Sequence, residues 1–151
     1  GIIVKGIHDL AVRFSKCCSP VPGDEIVGFV TRGRGITIHR TDCINVLNLP
    51  EIERSRLIDA EWQGVEEDNS AATYSTEISI FANNRIGMFV DISKIFTERE
   101  IDIKTMNSRV NKQGKATITM SFDIHGIEEL NNLMAKLRQI DGVLDIERTT
   151  G

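Results

Sequence analysis

From Ala116 to Ile124 the apolar residues Ala116, Ile118, Met120, Phe122 and Ile124 occupy every second position without a break. A period of two is the repeat of a β-strand, and so sustained an alternation demands a strand with one buried face. Such a face needs cover, and the neighbouring sequence supplies it. Met88, Phe89, Ile92, Ile95 and Phe96, and later Ile127, Leu130, Leu133, Met134, Leu137 and Ile140, recur at three-to-four spacing and predict two helices, each with one apolar stripe. Gly87 opens the first helix, and Asp141-Gly142 stops the second. Ile78 and Ile80 belong to a strand before the first helix, Ile101 and Ile103 begin another after it, and "NKQG" at 111–114 turns that strand into the alternating one. Val143–Ile146 reads as a short last strand. The order βαββαβ predicts a two-layer, ferredoxin-like sandwich over residues 73–151.

The segment 63–72, "QGVEEDNSAA", carries one large apolar residue and no period, so it reads as a linker. Residues 1–62 before it predict a small β-rich module. "EIVGFVT" and "GITIH" are strands joined through "RGRG", "TDCINVLNL" is a short helix capped by Thr41, and "LIDAEW" is a closing strand. The fold class is therefore α+β. A module of about 60 residues buries only about 60% of its unfolded surface and gains from a metal or a large partner. No run of about 18 apolar residues exists to span a membrane, and no signal peptide opens the chain. The expectation is a cytoplasmic protein with no membrane partner, and the opening without Met is that of a segment of something longer.

All three cysteines, Cys17, Cys18 and Cys43, lie in the first module with His39 between them, an odd count that suits reduced thiols better than disulfides. Four such donors can make a tetrahedral zinc site, with Ser19-Pro20 turning the chain so that adjacent cysteines face one way. Equally, cysteine packs as a small buried apolar group. Three interchangeable thiols, one histidine and no orienting carboxylate argue against catalysis. His8-Asp9 is too little for a hydrolytic metal site, and Gly33-Arg34-Gly35 is too short for a phosphate loop. The net charge is −4, yet no acidic residue falls between Glu25 and Asp42, where Arg32, Arg34, His39 and Arg40 cluster. That segment reads as an RNA or phosphate contact or as a solvated hairpin tip. In the second lobe "NNRIGMF" puts a glycine at a helix start, a geometry for binding an anion or for simple capping.

"CCSPVPGD", "GFVTRGRGITIHRTDC" and the βαββαβ lobe together resemble the C-terminal regulatory end of long RelA/SpoT-family enzymes, bifunctional proteins that make and hydrolyse (p)ppGpp in the bacterial stringent response. The resemblance implies that residues 1–62 are the module called the zinc-finger or ribosome-intersubunit domain and that the second lobe is an ACT domain. It implies no chemistry in this segment, with GTP pyrophosphokinase and hydrolase domains lying elsewhere in the parent. It further implies docking on ribosomes with uncharged A-site tRNA, the first lobe near 23S rRNA through Arg32, Arg34 and Arg40, and relay of ribosome or amino-acid status to the catalytic half. Cys17, Cys18, His39 and Cys43 match the family's proposed zinc ligands. The alternative it offers is an ACT homodimer sensing a branched-chain amino acid, valine or isoleucine, without RNA contact. Its ligand groups would be Asn84, Arg85, Ile86, Gly87, Met88 and Asp102. Asp102 departs from the Asn that similar domains often carry there; it suits an ammonium group and repels a carboxylate.

Overall fold

A computed structural model describes residues 2–4, 11–33, 35–63 and 72–150; His8-Asp9, Arg34 and most of the 63–72 segment lie outside the described residues. The chain divides into two compact units, the first running to Ala72 and the second Thr73–Thr149. None of the described helices is long and apolar enough to cross a membrane.

In the first unit the strands β1 (Ile2–Val4), β2 (Val12–Phe14), β3 (Ile26–Thr31), β4 (Gly35–Arg40) and β5 (Leu57–Trp62) form one sheet in the order β1-β5-β3-β4-β2. The three strands expected from sequence are present. The two short ones, β1 and β2, add its outer members, and β2 runs parallel to β4 with Phe14 opposite Ile38. Ile26, Ile36, Ile38 and Ala60 form the core, with Val12, Val30, Ile58 and Trp62 packed against them. Strands β2 and β5 are three places apart in the sheet, roughly 14 Å if it were flat, yet Phe14 and Trp62 stack with ring centroids 5.5 Å apart. The sheet therefore curls. Helix α1 (Ile44–Leu47) and a 3-10 helix (Glu51–Arg56) connect β4 to β5. Thr41 does not cap α1. Its N–H is held by the Glu25 carbonyl at 3.0 Å, a turn follows, and Cys43 takes the cap position without a side-chain bond.

The second unit runs β6 (Tyr74–Asn83), α2 (Met88–Glu98), β7 (Ile103–Val110), β8 (Lys115–Ile124), α3 (Ile127–Arg138) and β9 (Val143–Arg148). Its sheet order is β7-β8-β6-β9, antiparallel throughout. This is the ferredoxin-like arrangement. The alternating residues of β8 are all buried, together with Ile78, Ile80, Met88, Ile92, Phe96, Leu130, Leu133 and Leu137. Phe96 meets Phe122 edge to face at 5.0 Å. Ile101 precedes its expected strand: its N–H returns to the Phe96 carbonyl at 2.9 Å and closes α2, and β7 begins at Ile103. In the β7–β8 turn Asn111 Oδ1 accepts the N–H groups of Gln113 and Lys115, which fixes the hairpin register.

Candidate metal centre and the neighbouring surfaces

Two structural devices bring together residues 21 to 26 positions apart. The β3–β4 hairpin places His39 opposite Val27. On the other side, residues 16–18 form a turn. The Ser19 N–H bonds the Ser15 carbonyl at 3.0 Å, and Ser19 takes a left-handed φ of 47°. That turn removes the strand alternation that would send Cys17 and Cys18 to opposite faces. Cys43 arrives from the end of β4 through the turn before α1. The four ligand atoms of Cys17, Cys18, His39 and Cys43 all lie within 4.8 Å of one another.

A tetrahedral zinc ion with bonds of about 2.3 Å to sulfur and about 2.0–2.1 Å to nitrogen sets ligand separations of about 3.8 Å between sulfurs and about 3.6 Å from sulfur to nitrogen. Cys17 Sγ lies 3.4 Å from Cys43 Sγ and 3.5 Å from His39 Nδ1, and Cys18 Sγ lies 3.9 Å from the same nitrogen. The donor set fits such an ion. Burial lowers the His39 pKa, favouring the neutral imidazole that can ligate. Burial pushes the Cys18 thiol up to about 12 and, with the bond to Cys17, raises Cys43. At Cys17 burial also raises the pKa, but hydrogen bonds led by that of Ser15 outweigh it and the thiol lies below its ordinary value.

The basic segment separates. Arg32 is exposed at the β3–β4 tip, while Arg34 lies outside the described residues. Arg40 is buried at 6% exposure, its guanidinium donating to Asp42 at 2.5 Å and to the Cys18 carbonyl at 3.3 Å. The expectation that Arg40 reaches a phosphate is thereby corrected: in β4 it continues the inward series Ile36, Ile38, Arg40. Sequence reading missed Ser15, which touches the cysteine cluster. No motif marks it, because its place depends on the turn that follows.

In the second unit the residues of the strand–helix loop differ in exposure. Ile86 is fully exposed and Met88 fully buried. Met88 begins the core stripe Met88, Ile92, Phe96, so it is corrected from ligand-lining to core. Gly87 caps α2 at φ +86°. Asn84 is exposed, with its N–H on the Gly114 carbonyl at 2.8 Å. Arg85 lies across the helix start, bonded to the carbonyls of Asp141 and Ile86 and paired with Asp91 at 2.7 Å. Asp102 faces solvent and pairs with Lys104 at 3.2 Å.

Residues 2–63 match the RelA/SpoT RIS domain, and residues 70–148 match the ACT domain. The chain is 36% identical over 151 residues to GTP pyrophosphokinase of Escherichia coli, covering 99% of this chain and 20% of the relative. It is 31% identical over 150 residues to GTP pyrophosphokinase of Streptomyces coelicolor, covering 99% and 17%. A solution structure of the ACT domain from GTP pyrophosphokinase of Chlorobium tepidum aligns at 25% identity and TM-score 0.46, covering 52% of this chain and 89% of that one. The chain thus spans about a fifth of the length of the curated relatives it matches, and it belongs to the RelA/SpoT family, joining a RIS domain to an ACT domain.

Proposed function

We propose that this chain is a non-catalytic regulatory region of a stringent-response GTP pyrophosphokinase, and that a zinc ion held by Cys17, Cys18, His39 and Cys43 braces its RIS domain against ribosomal RNA. The supporting observation is the completeness of the ligand set. Three sulfurs and one nitrogen fill a tetrahedron and leave no position for a substrate, which is the pattern of structural rather than catalytic zinc. When bound, the ion cross-links the turn at residues 16–18, β4 and the start of α1, elements too small to build a large core of their own. Arg32, exposed at the β3–β4 tip at the other end of the hairpin from His39, is the residue offered to RNA phosphate. Arg40 serves the interior instead.

Elemental analysis of chain purified without chelator tests the metal: near-stoichiometric zinc is expected, lost in Cys43→Ser, and a metal-free chain whose melting ignores added zinc refutes it. Ribosome binding by the full-length enzyme tests the contact. Arg32→Ala should lower the slope of log affinity against log salt by somewhat under one unit. An unchanged slope and affinity would leave Arg32 a solvated tip residue.

One observation favours a second reading. Ile86 is fully exposed beside the left-handed Gly87, and a large apolar side chain there suits cover by a second ACT copy with a valine or isoleucine between them. Calorimetry with the twenty amino acids at millimolar concentration decides it: heat and a melting shift with a branched-chain amino acid support the sensor, and neither removes it.

A further inference from the structure

Among the described residues three polar or charged side chains are buried, Ser15, Arg40 and Thr76, and the first two lie at the cysteine–histidine cluster. Ser15 is 8% exposed, and the hydrogen bonds its hydroxyl makes among the described residues go to one neighbour. The Cys17 N–H donates to Ser15 Oγ at 3.3 Å, and the same oxygen lies 2.7 Å from Cys17 Sγ. With the amide donating to the oxygen, the hydroxyl proton is left for the sulfur. A metal-bound cysteine is a thiolate with no proton to give, so in that state Ser15 must be the donor.

The backbone holds this hydroxyl in place. The Ser15 N–H bonds the carbonyl of Ile38, the residue before His39, at 2.9 Å, and the Ser15 carbonyl accepts the Ser19 N–H at 3.0 Å across the turn that carries Cys17 and Cys18. One residue is thus tied to the strand of one ligand and to the turn of two others. Charge gives the bond a purpose. Three thiolates and a neutral imidazole around a divalent ion sum to −1, and donors to sulfur spread that charge in a partly buried site. Cys18 Sγ has the Arg40 N–H at 3.3 Å. Cys17, the most open of the three cysteines, has Ser15.

We propose that Ser15 is a positioning residue of the metal centre, orienting Cys17 Sγ and drawing charge from it through an O–H···S bond; this rests on the reading that the cluster holds a metal. The test uses the 151-residue chain loaded with cobalt(II), whose sulfur-to-metal absorption reports thiolate electron density. Ser15→Ala should move that band to longer wavelength and weaken cobalt binding about 10- to 100-fold. Ser15→Thr keeps the hydroxyl and should restore both, with Trp62 fluorescence confirming that each variant is folded. An Ala variant with parental band and affinity overturns the proposal. So does equal weakening in Ala and Thr with no band shift, which would make Ser15 a packing residue. If Thr does not fold, the Ala band against the parent decides alone. A parent chain that takes up no cobalt overturns the metal reading itself, an outcome distinct from an unshifted Ser15→Ala spectrum in a loaded protein.

Discussion

Two glycines of "TRGRG" offer a controlled comparison, because both are left-handed and only one is crowded. Gly33 has φ +76°, and among the described residues beyond its chain neighbours no heavy atom lies within 4 Å of where a Cβ would sit. Gly35 has φ +89°, and a Cβ there would lie 2.2 Å from the Ala11 carbonyl oxygen. Alanine at either position meets left-handed strain of about 1–2 kcal/mol. At Gly35 the Ala11 carbonyl must also retreat by about 1 Å to reach ordinary contact. That retreat breaks its 2.9 Å bond from the Ile36 N–H, a further loss of about 0.5–1.5 kcal/mol before strand displacement is counted. We expect Gly33→Ala to cost about 1.5 kcal/mol and Gly35→Ala about 3 kcal/mol. The assay is urea denaturation of the zinc-loaded chain followed by Trp62, the chain's single tryptophan, which sits on β5 of the first unit. With a slope near 1 kcal/mol per molar urea, the two midpoints should differ by about 1.5 M. Because β2 leads directly to Ser15, Cys17 and Cys18, Gly35→Ala should also weaken zinc binding. Midpoints within about 0.5 M of each other would show that backbone strain alone governs both sites and that the approach of residue 11 constrains nothing.

The raised Cys18 and Cys43 thiols set a pH dependence for chelator-treated chain. A thiol with pKa 9.0 unfolded and about 12 folded contributes stability that is full below pH 9 and is lost as pH rises toward 12; Cys43 acts in the same sense and Cys17, lowered, in the opposite one. Melting of metal-free chain should therefore fall as pH rises above 9, where Cys18 and Cys43 act, after at most a small rise below 9 from Cys17, and stay level when zinc is bound; a continued rise above pH 9 in the metal-free chain would contradict the raised thiols. Arg40→Ala should destabilise the first unit by about 1–3 kcal/mol by leaving the Cys18 carbonyl without its donor, whereas exposed Arg32→Ala should stay within about 0.5 kcal/mol; equal urea midpoints would refute the inward assignment. Phe122→Ala, at 0% exposure against Phe96, should cost the second unit about 3–5 kcal/mol, read as loss of thermal stability by circular dichroism, and a loss under about 1 kcal/mol would mean that the site collapses around the missing ring.

The second unit was legible because its signals are local. The alternation of 116–124 and the stripe of Met88, Ile92 and Phe96 each repeat at the period of one element, and strands and helices with one apolar face have few ways to cover one another. The same stripe places Met88 in the core, where the helix period outweighed a ligand role inferred from loop position. The alternation Ile36, Ile38, Arg40 carried an equal signal for Arg40, but counting charge along the segment hides the face on which each charge falls. The cysteines and histidine were visible as a donor set. Their convergence was not, since it needs the β3–β4 register and the left-handed Ser19 to carry residues 21 to 26 positions apart to within 4.8 Å. The parallel pairing of β2 with β4 and the aim of the Ser15 hydroxyl belong wholly to the tertiary structure. Three residues are too few to show a period, and a serine's partner is chosen by the turn and strand that hold its backbone.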